Sequence, residues 1–169
     1  MDASNLTNYF YQYGSLFVFT IVFLEYLNLP GLPGGIIMPL AGVWAATGNI
    51  SLISVVILSV IAGILGSWVL YSIGRFGGNF LLEKYLKRFP KHEDYINGKI
   101  EFLREKGTIG VFISKLLPVA RTLISLPAGL LKMNFLKYSL YSALGILIWN
   151  CAFISAGYFF STTVIQVIG

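Results

Sequence analysis

Residues 115–135, KLLPVARTLISLPAGLLKMNF, are apolar enough to enter a bilayer, yet they carry Lys115, Arg121, Pro118, Pro127 and Gly129. A plain spanning helix accommodates such residues poorly. Each proline removes a backbone donor and crowds the preceding turn, and a charge at bilayer depth is costly. In hydrocarbon every freed carbonyl needs a partner, so broken backbone survives there only against other protein or a wet cavity. The stretch is therefore expected to lie in a re-entrant helical hairpin over 108–131 that lines a polar crevice. Two cations inside it, Lys115 and Arg121, require an anion, either a substrate group or a carboxylate from another helix.

The rest of the chain reads as the membrane support for that hairpin. Of its 169 residues 56% are hydrophobic and only 11% charged, which predicts an all-α integral membrane protein forming one domain over 1–169. The net charge of +5 does not point to nucleic acid, because Arg75, Lys84, Lys87, Arg88, Lys91, Lys99, Arg104 and Lys106 all fall in one polar segment. Under the positive-inside rule that segment, 75–107, is cytoplasmic. Cys151 stands alone, so neither an intrachain disulfide nor a cysteine metal site is expected. The N-terminus has no basic residue ahead of its first apolar run and no small-residue cleavage site, so the first hydrophobic segment is expected to remain attached.

Taken in order, the pattern predicts a first membrane helix over 6–29, opened by the interfacial aromatics Tyr9, Phe10, Tyr11 and Tyr13. It contains Glu25, placed either near the far interface or facing the cavity. Pro30, Pro33 and Pro39, with Gly35 among the intervening glycines, predict a second re-entrant hairpin over 30–49. A clean helix follows over 51–74, where Ser59, Gly63 and Ser67 recur every four residues and suggest close packing. The segment 75–107 alternates apolar and charged residues at helical spacing and reads as amphipathic helix on the membrane surface, with Pro90 as a break and His92 in a solvated loop. A last membrane helix spans 138–160, with Asn150 hydrogen-bonding across helices. The hairpins echo each other: Pro30 and Pro39, like Pro118 and Pro127, are nine residues apart, and Ala-Gly follows closely. Paired interrupted segments of this kind point to an inverted repeat with its site at the midplane. With 75–107 inside, the N-terminus is also inside.

Several of these residues form a recognisable set: Glu25 with the Pro-rich run after it, Y-x-x-G-R-x-x-G at Tyr71, Gly74, Arg75 and Gly78, K-x-x-P-x-x-R-T at 115–122, S-L-P-A-G at 125–129, and Met133. In their order and spacing the chain resembles the DedA family, also called VTT-domain or SNARE-associated membrane proteins, over roughly residues 20–160. The resemblance implies two re-entrant hairpins in inverted repeat. It also implies movement of a phosphorylated lipid, undecaprenyl phosphate or a phosphatidylethanolamine-like phospholipid, between leaflets of a bacterial cytoplasmic membrane. No enzymatic step and no cofactor are implied beyond proton coupling. Arg121, helped by Lys115 and flanked by Thr122, would receive the phosphate, and Glu25 would balance the empty site. The chain departs from the family in three ways: Gly35 stands where many members have an acid, Lys115 replaces a commoner arginine, and the C-terminal helix that many carry is missing, which leaves a homo-oligomer as one expectation. The competing expectation is a proton-coupled transporter of small solutes or ions that works through Glu25.

Overall fold

A computed structural model describes residues 3–27, 34–47, 50–88, 93–118 and 120–168. Pro30, Pro33, Pro90 and His92 lie outside the described residues. All elements among them are helical: α1 (Ala3–Tyr26), α2 (Gly34–Thr47), α3 (Leu52–Arg88), α4 (Glu93–Lys115), α5 (Ala120–Leu123), α6 (Ser125–Leu130) and α7 (Phe135–Ile168). They group into two compact units, Met1–Gly63 with Leu147–Gly169, and Ile64–Ile146, so α3 and α7 each contribute to both.

Two stretches, Leu52–Gly78 and Phe135–Ser161, are long and apolar enough to cross a bilayer, and only 33% of each is buried within the protein. A core helix of a soluble protein would hide most of such a surface. Here Ile53, Ile57, Ile61, Leu140, Leu144 and Ile148 are exposed, as lipid-facing residues are. The apolar helix Gly35–Thr47 is shorter than the roughly 20 residues that a span needs, whereas α1 has 24 residues.

Caps set the helix starts. Ser51 accepts the Ser54 N–H at 3.1 Å ahead of α3, and Asn134 Oδ1 accepts the Lys137 N–H at 3.1 Å ahead of α7. The Asn134 cap starts α7 at Phe135, three residues before the expected position. The span expected to end at Gly74 continues to Gly78, whose φ of 51° and ψ of −151° break α3. Gly107 breaks α4 with φ 59° and ψ −140°. This backbone region is essentially reserved for glycine, so Gly78→Ala and Gly107→Ala are each expected to lower stability by about 1–3 kcal/mol, measured by thermal unfolding of the purified protein.

In the first unit α1 packs on α2. The described part of the segment expected as a hairpin over 30–49, residues 34–47, is one helix. Pro39 lies inside it, and Gly35, whose carbonyl that ring deprives of a donor, is exposed. At about 1.5 Å per residue its 14 residues reach about 21 Å, short of a bilayer core of about 30 Å. A Cβ on Gly42 would collide with the Ile154 carbonyl, and one on Gly157 with the Pro39 carbonyl, so α2 and α7 meet backbone to backbone.

The second unit repeats this contact with other partners: a Cβ on Gly74 would strike the Leu126 carbonyl, and one on Gly129 the Tyr71 carbonyl. Its core gathers Tyr71, Leu103, Val111, Ile124, Ala128 and Tyr138. Leu103, from the polar segment, is thus buried, while its neighbours Arg104 and Glu105 are exposed. Between Lys115 and Phe135 no helix among the described residues exceeds six residues. After a turn at 116–118, α5 has four residues and α6 has six. Pro118 sits in the turn, and Pro127 is the third residue of α6, inside the first turn where a missing N–H costs little. Lys132, at φ 50°, closes α6 with Lys132 N–H on the Gly129 carbonyl at 2.9 Å and Met133 N–H on the Ala128 carbonyl at 3.2 Å.

Candidate functional site

Lys115, the last residue of α4, is fully enclosed, at 0% exposure. Its Nζ donates to Ser67 Oγ at 2.8 Å and to Ser125 Oγ at 3.1 Å. The stem runs against α7, where a Cβ on Gly145 would come within 3.3 Å of Lys115 Cγ and still nearer its Cβ. A lysine snorkelling to an interface would place its head in water. This one is enclosed instead, with two hydroxyls among its partners. The Tyr138 hydroxyl lies in the same cluster and donates to the Ser67 carbonyl at 3.1 Å.

Arg121 and Thr122, both on α5, are buried in the same unit, with exposures of 1% and 8%. Burying a guanidinium costs several kcal/mol unless it is well hydrogen-bonded, so its enclosure is a property the fold has to sustain. Glu25, at 3% exposure, belongs to the other unit. Beside it Tyr26 donates to Asn150 Oδ1 at 3.2 Å, and Asn150 Nδ2 donates to Ser59 Oγ at 3.1 Å. Asn150 therefore bonds across helices, as its position near the middle of an apolar helix requires.

Sequence reasoning took the Ser59 and Ser67 stripe for packing alone. Both hydroxyls instead serve buried polar side chains, Asn150 and Lys115. Ser125 and Tyr138 were also missed. The available signal was their polarity inside otherwise apolar runs, since a buried donor or acceptor needs a partner.

The Y-x-x-G-R-x-x-G residues have a structural account. The Tyr71 hydroxyl donates to the Met133 carbonyl and accepts from Arg75 Nη1 at 2.8 Å, while Gly74 admits the α6 backbone and Gly78 breaks the helix. This clamp fastens the end of the 115–135 stretch to α3. Pro118, Pro127 and Gly129 shape that stretch, whereas Gly35 has open space around it.

A VTT domain profile matches residues 32–159. The chain is 32% identical over 126 residues to undecaprenyl phosphate transporter A of Bacillus subtilis, covering 75% of this chain and 64% of that protein. It is 31% identical over 160 residues to the Staphylococcus aureus protein of the same name, covering 90% and 76%. Protein DedA of Escherichia coli K12 is 30% identical over 149 residues, covering 86% and 68%. An uncharacterized membrane protein of Bacillus subtilis, YkoX, is 35% identical over 121 residues, and the match covers 55% of its length, so this chain spans between about half and three quarters of these relatives. No solved structure matches it. On the extent of the profile match and the shared identity, this chain is a membrane protein of the VTT-domain, or DedA, family.

Proposed function

We propose that the protein moves a phosphorylated lipid, either undecaprenyl phosphate or a phosphatidylethanolamine-like phospholipid, between leaflets of the bacterial cytoplasmic membrane. The observation that carries this reading is the enclosed ammonium of Lys115, fixed by Ser67 and Ser125 in a chain whose relatives include named undecaprenyl phosphate transporters. A phosphate entering hydrocarbon loses its hydration at a cost of tens of kcal/mol in the unrelaxed limit. Preorganised cations and hydroxyls replace that water without reorganising as the headgroup arrives. In this scheme Arg121 supplies a bidentate fork, Lys115 a point charge and Thr122 a hydroxyl, while the lipid tail stays in the bilayer.

The reading also takes the crossed glycines, Gly42 with Gly157 and Gly74 with Gly129, as marks of an inverted repeat in which α2 and α6 are counterparts. Both surrounding segments are taken as re-entrant, with the N-terminus and the 75–107 segment cytoplasmic. Glu25, buried beside the Tyr26–Asn150–Ser59 network, supports a second reading, a proton-coupled transporter of small solutes or ions.

The test is leaflet-resolved lipid accessibility in proteoliposomes. Arg121→Ala is expected to slow redistribution at least about tenfold, and Arg121→Lys by less, because a lysine keeps the charge but loses the fork. Wild-type redistribution in both variants removes the headgroup reading. Loss of proton flux in Glu25→Gln with unchanged lipid movement would select the second reading.

A further inference from the structure

Away from Lys115, the first unit contains a crevice of about 250 Å³ between α1 and α2. Its walls include Val18, Ile21, Ile37 and Ala41, its lips are Phe17 and Leu40, and Trp44 closes one end over Gly14. Val18, Ile37 and Ala41 are buried, while Phe17 and Leu40 are 61% and 59% exposed. The crevice thus opens outward through hydrocarbon side chains. Gly14 makes it possible: a Cβ there would drive into the Trp44 ring.

We infer that this crevice binds one hydrocarbon chain of a membrane lipid. Among the described residues no charged or hydroxyl side chain lines it, so they offer nothing to a headgroup or to the backbone of an extended peptide. A helix from a second copy, about 10–12 Å across, is too wide to enter. The eight lining residues among those described also fall short of the roughly 20–30 residues a side of a stable protein interface. A flexible chain meets no such limit. A dry apolar cavity of about 150 Å³ takes up benzene, so a space of this size admits roughly ten carbons of an acyl or prenyl chain. The neighbouring exposed residues Leu16 and Ile36 extend the apolar surface from which such a chain would enter. The site selects for an apolar chain and is indifferent to the headgroup.

Trp44 is a built-in reporter. Trp68→Phe with Trp149→Phe leaves it as the sole tryptophan of three. The purified protein in neutral detergent would be titrated with phosphatidylcholine carrying brominated acyl chains, and separately with brominated diacylglycerol, which has no phosphate. A saturating loss of Trp44 emission is expected with both probes. Ala41→Phe, which fills the crevice, and Phe17→Asn at its exposed lip are each expected to remove the saturable part. Because Phe17 is exposed, its variant keeps the test valid even if Ala41→Phe misfolds. Quenching that rises linearly with probe, that is unchanged in Phe17→Asn, or that occurs only with the phosphate-bearing lipid overturns the inference. Lys115→Met is expected to leave both titrations unchanged, so failure of the headgroup reading and failure of the chain site are separable.

Discussion

Lys115→Met is expected to reduce lipid redistribution at least about tenfold while the protein still folds and purifies. Methionine is unbranched and one heavy atom shorter, so the slot against Gly145 stays filled while the charge and its N–H donors are lost. Ser67 and Ser125 each lose a donor, which costs about 1–3 kcal/mol for a buried group left unsatisfied. Removing a buried charge works in the opposite direction, because a desolvated ammonium is itself expensive. The two effects oppose each other, so stability is expected to change little compared with transport. Lys115→Arg is the informative companion. It keeps the charge, but its planar fork cannot reproduce two bonds made by a compact ammonium in a slot floored by Gly145, and transport between the methionine variant and wild type is expected. Wild-type redistribution by the methionine variant would show that the enclosed lysine has no part in handling the lipid.

Gly129→Val is expected to leave little folded protein, with at least about 3 kcal/mol of destabilisation, at the upper end of overpacking costs. The first added atom meets the Tyr71 carbonyl, with the Arg75 amide nitrogen at 2.8 Å. Backbone atoms cannot swing aside as a flexible side chain does, so α6 would have to separate from α3. That would also pull Met133 away from Tyr71 and Arg75. Gly35→Ala is the control. Nothing lies within 4 Å of a Cβ at Gly35, and alanine there is expected to be neutral or to stabilise α2 by up to about 1 kcal/mol. Yield and thermal unfolding in detergent distinguish the two. Equal behaviour would mean that the α3–α6 contact is not as close as described.

These two glycines show which parts of the fold were legible. From sequence both looked like hairpin residues, since each lies near a proline in an apolar run. What separates them is a carbonyl contributed by a helix more than 50 positions away, and no local pattern encodes that. The helical class, the two long spans and the break after Lys115 were legible because hydropathy and proline act locally. The 14-residue continuity of α2 through Pro39 was not, because a proline count does not show where a helix begins relative to each ring. In the candidate site the cations stood out at once, as charges in an apolar stretch must. Ser67, the hydroxyl partner of Lys115, did not, because 48 residues separate the two and a serine in a small-residue stripe resembles a spacer.

The division of the chain into units has a consequence for biogenesis. Ile64–Ile146 is continuous, so the ribosome has delivered all of it before Leu147 is made. The other unit joins Met1–Gly63 to Leu147–Gly169 and stays incomplete until residues 147–169 have been made. At about 5–20 residues per second its first two helices wait several seconds for the C-terminal half of α7. During that interval Gly42 has no Ile154 backbone to rest on, and the Tyr26 phenol has no Asn150. The early helices are therefore the part of the nascent chain with most need of a holding partner at the insertion machinery.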